Sequence, residues 1–287
     1  MITILYATLS VFVLAGIFGI GLAVASVKLA VKKDQRVEDL ENILPGINCG
    51  ACGYAGCSSY AKAMAEDEKE AVEINLCSPG GPETLKKLGE YLGRAVDETA
   101  EKMVAFVFCR GNKSNAQYDF EYNGIDDCNA AYIAFGGDKT CKFGCLGRGS
   151  CINVCPADAI FRDEKGNILI DKYKCISCEK CVTICPTGVI KMIPESADVV
   201  VACSSTDKGA LVRKYCKAGC IGCRICEKQS PEGGFTVENF LASIDYSAEG
   251  SREAAAVKCP AKCIVDSDVK GLSLANIKSE SETDEEN

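Results

Sequence analysis

The stretch that decides the fold runs from residue 141 to residue 186. It reads CKFGCLGRGSCINVCP (141–156), ADAIFRDEKGNILIDKYK (157–174) and CISCEKCVTICP (175–186). The last run has the spacing C-x2-C-x2-C-x3-C-P, which is typical of paired [4Fe–4S] clusters whose fourth cysteine serves the other cluster. One tight loop can hold three corners of a cubane but cannot wrap to its fourth, so the missing ligand must come from elsewhere. The stretch therefore predicts two clusters with crossed ligands.

The crossed spacing assigns four cysteines to each cluster. One cluster takes Cys155, Cys175, Cys178 and Cys181, and the other takes Cys141, Cys145, Cys151 and Cys185. In the second set, Arg148 stands where the regular spacing puts a cysteine, and Cys141 upstream is the obvious replacement. Two structural zinc sites are the alternative, since zinc also binds four thiolates. Zinc sites usually draw on two separated C-x2-C pairs and need no C-P ending, so the pattern favours iron–sulfur clusters.

The composition narrows the possible functions further. The chain has 287 residues, 21 cysteines, no histidine and a formal net charge of −8. Without histidine, Ser-His or Cys-His nucleophilic catalysis is excluded, and the negative charge argues against nucleic acid as a partner. Disulfides are the rival explanation for many cysteines, chiefly in short secreted chains. Here the tight C-x2-C clusters favour metal binding.

The N-terminal segment is apolar. Ile2 to Val27 exceeds the ~20 residues that span a bilayer, so residues 1–33 are predicted to form a single transmembrane helix. A signal peptide is the alternative, but nothing charged precedes the apolar run, which is also too long for one. Lys28, Lys32, Lys33 and Arg36 follow it. The positive-inside rule then places the rest of the chain in the cytoplasm.

A second cysteine motif follows the apolar segment. Its ligands are predicted to be Cys49, Cys52 and Cys57, spaced C-x2-C-x4-C, together with Cys77 beyond a helical stretch at 58–73. Three loop cysteines plus a fourth returned by a helix suit one [4Fe–4S] cluster, with a zinc site as the alternative. A helix over 85–103 and a buried strand over 104–108 are predicted next.

The segment from Val199 onward repeats the preceding one. VVVAC ending at Cys203 echoes VAFVFC ending at Cys109, and CKAGCIGCRIC (216–226) matches CKFGCLGRGSC (141–151). In this register, the residues that correspond to one complete ligand set are not cysteines: Ser230, Glu249, Arg252 and Ala255. The other set survives, so one further cluster is predicted on Cys220, Cys223, Cys226 and Cys259, with Cys216 as an alternative to Cys223.

Several cysteines stay without a predicted role. Cys109, Cys128, Cys203 and Cys216 are open between another cluster and free buried thiols, while Cys263 is expected in the core. In total the sequence predicts four [4Fe–4S] clusters. The fold class is α+β, with an anchor (1–33), a small helical [4Fe–4S] domain (34–100), a two-cluster ferredoxin-like domain (101–195), a degenerate one-cluster ferredoxin-like domain (196–270) and a disordered acidic tail (271–287).

A membrane anchor, the motif CGACGYAGC…CSPGG and a two-cluster ferredoxin unit together resemble the B subunit of the Rnf complex. The anchor and first motif carry the resemblance over residues 1–95. Members of that family are subunits of an ion-translocating ferredoxin:NAD oxidoreductase, and the resemblance implies a place at the inner (cytoplasmic) membrane of a bacterium. The resemblance implies an electron-transfer subunit of a translocase, which accepts electrons from reduced ferredoxin and relays them to integral-membrane and flavin- or NADH-binding subunits. The chain itself has no G-x-G-x-x-G nucleotide motif, and no acidic residue in its apolar segment for ion conduction.

Two other functions fit the same residues. One is the electron-feeding iron–sulfur subunit of a different membrane reductase or hydrogenase. The other is a redox sensor or assembly protein, although several clusters in a row on an anchored chain favour electron transfer. Neither the transported ion nor the order of electron transfer can be read from the sequence.

Overall fold

The computed structural model describes residues 2–28, 34–67, 70–96 and 101–268, so the predicted acidic tail at 271–287 lies outside the described residues. The helices are α1 (Ile2–Lys28), α2 (Gln35–Ile43), α3 (Cys57–Glu66), α4 (Gly81–Leu92), α5 (Cys128–Ile133), α6 (Ser150–Asn153), α7 (Lys180–Ile184), α8 (Gly209–Tyr215), α9 (Ile225–Gln229) and α10 (Glu253–Lys258). The strands are β1 (Met103–Val107), β2 (Ile160–Arg162), β3 (Ile168–Ile170), β4 (Ile190–Pro194), β5 (Val199–Val201), β6 (Phe235–Glu238), β7 (Leu241–Ile244) and β8 (Ile264–Asp266). The fold class is therefore α+β, as predicted.

The N-terminal helix α1 is apolar along its length. The large side chains that the structure describes along it are exposed, with Phe12 at 78% and Phe18 at 67% of their full accessible surface. Among the described residues, none of the helices qualifies as long and apolar enough to cross a membrane. The predicted transmembrane helix over 1–33 is therefore not confirmed.

A small helical core follows, in which α2 packs against α3 and α4. Its centre is apolar, and Leu40, Tyr60 and Leu88 are almost completely buried. The buried Tyr60 hydroxyl donates to the Glu73 carbonyl at 2.7 Å, which satisfies its polar atom inside the core. This core holds the loop that carries the first cysteine motif.

Two helix boundaries differ from the sequence prediction. The helix expected over 58–73 ends at Glu66, because Asp67 accepts the Val72 backbone N–H at 2.6 Å and pairs with Arg94 at 3.3 Å. These contacts fold the chain back instead of extending the helix. The helix expected over 85–103 ends at Leu92, because Gly93 adopts a left-handed conformation with φ of 69°, a common helix stop.

The remainder of the chain is built from two repeats with the same strand pairing. In the first repeat β1 pairs with β4 and β2 pairs with β3, all antiparallel. In the second repeat β5 pairs with β8 and β6 pairs with β7 in the same way. The residue after β3 and the residue after β7 make equivalent bonds: Asp171 N–H donates to Ala159 at 2.8 Å, and Asp245 N–H donates to Gly234 at 2.9 Å.

Strand β1 joins the two repeats because successive side chains of a strand point to opposite faces. Ala105 and Val107 enter the core of the first repeat, which also contains Cys151 and Cys181. Val104 and Phe106 pack on the other side against Val200 and Ala202, the neighbourhood of β5. The two repeats therefore share an apolar interface that runs along this strand.

The second repeat has a buried arginine where the first repeat has a cluster loop. Arg252 aligns with Cys178 and is only 8% exposed. Its guanidinium donates to the carbonyls of Gly233 at 2.8 Å and Ala248 at 2.6 Å, and to the Asp198 carboxylate at 3.0 Å. It also stacks over the Tyr246 ring at 5.5 Å. A cross-linking cation thus fills the position of the missing ligand set.

Candidate iron–sulfur centres

The described cysteines gather around five cavities, which we number I to V. The cavities have similar volumes, between about 310 and 390 Å³ when open solvent is included. Each is lined by at least four cysteines. Within the described ranges, no group of three or more Cys, Asp or Glu side chains is placed so that it could hold a single metal ion. Four thiolates around a shared space are the donor set of a [4Fe–4S] cluster, so these residues fit that group.

Cavity I lies beside the N-terminal helical core. Its cysteines are the four predicted from the first motif: Cys49, Cys52, Cys57 and Cys77. The loop is held by Asn48, whose side-chain oxygen accepts the Cys57 backbone N–H at 2.8 Å. A side chain on Gly56 would meet that oxygen at 2.6 Å, so glycine is required there. Burial raises the pKa of Cys77, and the other three thiols add to the effect.

Cavity II contains the first set predicted from the ferredoxin spacing: Cys155, Cys175, Cys178 and Cys181. Cys155 reaches it from the loop after α6, Cys175 and Cys178 lie on the loop that leads into α7, and Cys181 lies within α7. The Ala105 backbone N–H of β1 donates to Cys175 Sγ at 3.5 Å. Burial, followed by the neighbouring thiols, raises the pKa of Cys181 to about 12. The structure thus brings the four cysteines of this set around one cavity, and their crossed ligation of a cluster stays a prediction.

Cavity III contains three residues of the other predicted set, Cys145, Cys151 and Cys185, but its fourth cysteine is Cys128. Cys141, which the sequence analysis placed here, lines a different cavity. Cys128 begins α5, and its backbone N–H donates to Ser150 Oγ at 2.7 Å. That hydroxyl in turn donates to Asp127 at 2.7 Å. This chain of bonds fixes Cys128 beside α6, which carries Cys151.

The arginine that interrupts the regular spacing explains why Cys128, rather than Cys141, is the fourth cysteine of cavity III. Arg148 turns away from the cavity, forms an ion pair of 2.5 Å with Asp138 and stacks over the Tyr122 ring at 4.8 Å. The position that a cysteine would have filled is therefore taken by a residue anchored elsewhere. Asp127 is a favoured helix N-cap, and its side chain accepts the Ala130 N–H at 2.9 Å. The sequence could therefore have indicated the start of α5, but not that Cys128 lies at cavity III.

Cavity IV contains four cysteines that had no common assignment: Cys109, Cys141, Cys203 and Cys216. Two belong to the first repeat and two to the second. Cys109 and Cys203 recur after matching strands in the sequence, but the spacing of the cysteines does not group the four. The residues of this cavity are considered further below.

Cavity V contains the predicted set of the second repeat: Cys220, Cys223, Cys226 and Cys259. Cys216, the predicted alternative to Cys223, lies in cavity IV instead. Cys263 also borders cavity V, with its sulfur 3.6 Å from Cys259 Sγ. Its side chain is 2% exposed, as expected for a core residue. Cys223, by contrast, is exposed, so this cavity lies near the surface.

Three cavities lie next to one another in the N-terminal part of this arrangement. The Cys49 thiol of cavity I is close enough to Cys178 of cavity II to add to the burial that raises the Cys178 pKa. Cys181 of cavity II and Cys151 of cavity III are buried in the same apolar core. Cavities I, II and III therefore follow one another in space.

Two family models match the chain in the same regions. One is described as a putative Fe-S cluster and matches residues 44–79, which include cavity I. The other is described as a 4Fe-4S dicluster domain and matches residues 140–189, which include cavity II and most of cavity III. The chain therefore contains iron–sulfur domains of both kinds.

Curated relatives extend over nearly the whole chain. The B subunit of the ion-translocating oxidoreductase complex of Methanosarcina acetivorans is 38% identical over 89% of this chain and 96% of the relative. The B subunit of the proton-translocating ferredoxin:NAD(+) oxidoreductase complex of Clostridium ljungdahlii is 39% identical over 92% and 93%. The B subunit of the Na(+)-translocating ferredoxin:NAD(+) oxidoreductase complex of Acetobacterium woodii is 40% identical over 91% and 77%. The resemblance found in the sequence is thereby confirmed, and the chain belongs to the Rnf family of B subunits of ion-translocating oxidoreductase complexes.

Proposed function

We propose that this chain is the iron–sulfur subunit through which an ion-translocating ferredoxin:NAD oxidoreductase complex takes electrons from reduced ferredoxin. The observation that carries the proposal is the series of four-cysteine cavities, of which I, II and III follow one another in space. The family and the names of the relatives agree with it. Integral-membrane and flavin- or NADH-binding subunits are the proposed acceptors.

We assign ligands by cavity. Cavity I uses Cys49, Cys52, Cys57 and Cys77; cavity II uses Cys155, Cys175, Cys178 and Cys181; cavity III uses Cys128, Cys145, Cys151 and Cys185; cavity V uses Cys220, Cys223, Cys226 and Cys259. Bound [4Fe–4S] clusters supply one-electron chemistry. The protein's part is to hold the thiolates, exclude water through the surrounding apolar residues and donate backbone N–H bonds to sulfur, as Ala105 does to Cys175.

The remaining steps of the complex's reaction are assigned to other subunits. Histidine is absent from the whole sequence. A proton or sodium path would need acidic residues inside the apolar N-terminal segment, but the acidic residues of the sequence all lie outside it. We therefore propose that hydride transfer to NAD and ion movement occur elsewhere in the complex. This chain contributes the electron path alone.

Membrane attachment is assigned to α1. The exposed apolar side chains along this helix, among them Phe12 and Phe18, favour contact with lipid or with a membrane subunit. The basic residue Lys28 ends this helix, and Lys32, Lys33 and Arg36 follow it in the sequence. These four residues favour the cytoplasmic side. A single-pass arrangement with the cysteine-rich domains facing the cytoplasm is the proposed topology. Protease added outside intact cells should leave those domains intact, and their digestion would refute the orientation.

The test of the central proposal is reduction by ferredoxin. Full-length protein, purified without oxygen, should contain iron and acid-labile sulfide in equal amounts, and reduced ferredoxin should bleach its visible absorbance. A Cys52→Ser variant should lose about four iron atoms of one cluster and serves as the matched control for ligand loss. Protein that contains stoichiometric zinc, or that ferredoxin fails to reduce, would refute the proposal.

A further inference from the structure

Cavity IV is formed by equivalent residues of the two repeats. Cys109 follows β1 and Cys203 follows β5, the first strand of each repeat, while Cys141 and Cys216 open the matching motifs CKFGC and CKAGC. The repeats are joined around this cavity by backbone bonds: Gln117 N–H donates to the Tyr215 carbonyl at 2.7 Å, and Lys217 N–H donates to Asn115 at 2.8 Å. Each repeat thus supplies the same two cysteines to one shared space.

Glycines leave the space between these sulfurs open. A methyl group on Gly144 would lie 3.5 Å from Cys109 Sγ and 3.7 Å from Cys141 Sγ. A methyl group on Gly111 would lie 3.6 Å from Cys109 Sγ and 3.7 Å from Cys216 Sγ. The three sulfurs therefore surround a gap that side chains at these two positions would begin to fill. Glycine at these positions is what close approach of a backbone to inorganic sulfur requires.

Two cations border the same cavity, the buried Lys139 and the partly buried Arg110. Lys139 is 4% exposed, and its ammonium donates to the carbonyls of Gly111 at 2.6 Å and Cys145 at 2.5 Å. Arg110 has two buried guanidinium nitrogens, Nε and one terminal nitrogen, without an acceptor among the described residues. Burying a cation is costly unless a negative charge lies nearby. A cluster held by four thiolates is an anion, and it would supply that charge.

Cavity IV also lies between cavities III and V. Gly144, which faces the sulfurs of cavity IV, immediately precedes Cys145 of cavity III, whose carbonyl accepts the bond from Lys139. On the other side, Cys203 packs against the core of the second repeat, which contains Cys220 and Cys226 of cavity V. Cavity IV therefore has one cavity of the first repeat and one of the second repeat as its neighbours.

Counting the cysteines leads to the same assignment. The 21 cysteines of the sequence divide into five groups of four around the five cavities, and Cys263 alone is left over. Neither family model includes Cys109, Cys203 or Cys216, since the models match residues 44–79 and 140–189.

We propose that Cys109, Cys141, Cys203 and Cys216 bind a fifth [4Fe–4S] cluster, which bridges the two repeats and passes electrons between cavities III and V. This inference rests on the proposed function, from which the electron donor, reduced ferredoxin, is taken. Each transfer moves one electron: the site that gives it up is oxidised, its neighbour is reduced, and no bond forms or breaks. The chain then has a continuous order of sites from I to V.

The test uses serine variants of full-length, anaerobically purified protein. Wild type should contain about twenty iron atoms per chain, and Cys109→Ser and Cys203→Ser should each contain about sixteen. The two variants should lose the same EPR signal, although the residues belong to different repeats. Cys128→Ser should lose a different signal, that of cavity III. Cys263→Ala is the matched control for a cysteine outside the five groups and should keep all the iron.

A second measurement does not depend on the folding of any variant. In wild type, Cys109 and Cys203 should resist alkylation until the iron is chelated, and both should react afterwards. Alkylation of either thiol while all the iron is bound would overturn the inference, as would an unchanged iron content in Cys109→Ser. In that outcome ferredoxin would still reduce the other clusters. Failure of the proposed function looks different, since wild type itself would then contain no iron–sulfur clusters or would not be reduced by ferredoxin.

Discussion

Replacing Arg252 by alanine should destabilise the second repeat. The guanidinium is buried and donates short hydrogen bonds to the carbonyls of Gly233 and Ala248. It also contacts Asp198 and, at 3.4 Å, the Asp245 carbonyl. Charged hydrogen bonds contribute about 1.5–3 kcal/mol each, and the Asp198 side chain is half exposed, so its ion pair adds less than about 1 kcal/mol. We expect Arg252→Ala to lose about 3–5 kcal/mol.

Hydrogen exchange of the full-length, cluster-loaded protein is the suitable assay, because it reports local opening in peptides from 230–258 separately from the rest. Asp198→Asn is the control that removes only the exposed ion pair, and it should change the opening free energy by less than about 1 kcal/mol. Arg252→Lys should fall between the two, because an ammonium retains the charge but lacks the planar fork of donors. An effect of Arg252→Ala no larger than that of Asp198→Asn would refute the cross-linking role.

Three further predictions concern the cluster loops. Cys155 lines cavity II together with Cys175, Cys178 and Cys181, so Cys155→Ser should remove the EPR signal of the cavity II cluster. Loss of the cavity III signal alone would contradict the crossed assignment. The hydrogen bonds that Asp127 accepts from the Ser150 hydroxyl and the Ala130 N–H lower the pKa of its carboxyl group. The carboxylate therefore stabilises α5 fully above the ordinary pKa of about 4, and this stabilisation is lost as pH falls through the lowered pKa. Chelators should therefore remove iron from cavity III several-fold faster in Asp127→Ala than in wild type at neutral pH, and the difference should shrink in acid; equal rates at neutral pH would contradict this. Removing all the iron should expose 141–185 to protease, because metal binding and loop folding are coupled, whereas persistent resistance would show that these loops fold without metal.

The spacing of the cysteines predicted many of the residues that line the cavities, but not every group of four that shares a cavity. Crossed ligation is a consequence of loop geometry, so the residues of cavity II could be grouped without a structure. The exchange of Cys141 for Cys128 could not, because it depends on the ion pair that turns Arg148 toward Asp138. Cavity IV was hidden for another reason: its cysteines lie far apart in the sequence and meet only when the two repeats pack along β1.

Helix lengths show the same limit on a smaller scale. Apolar periodicity indicated helices near α3 and α4 but not where each ends. Those ends are set by Asp67, through its bonds to Val72 and Arg94, and by the left-handed Gly93. A contact with a residue distant in the chain decides the first, and local backbone conformation decides the second. Gly93 could therefore have been used from the sequence, whereas Asp67 could not.

The buried arginine of the second repeat also gives the proposed electron path a terminus. If both repeats were complete, the sites would form a symmetric series around cavity IV. Cavities II and III would lie on one side, and their counterparts in the second repeat would lie on the other. Arg252 stands in the last of these places and holds a positive charge where the outermost cluster would otherwise be bound. The series of sites therefore ends at cavity V, the counterpart of cavity III, where Cys223 is exposed. A redox partner at that end would meet its cluster directly at the protein surface.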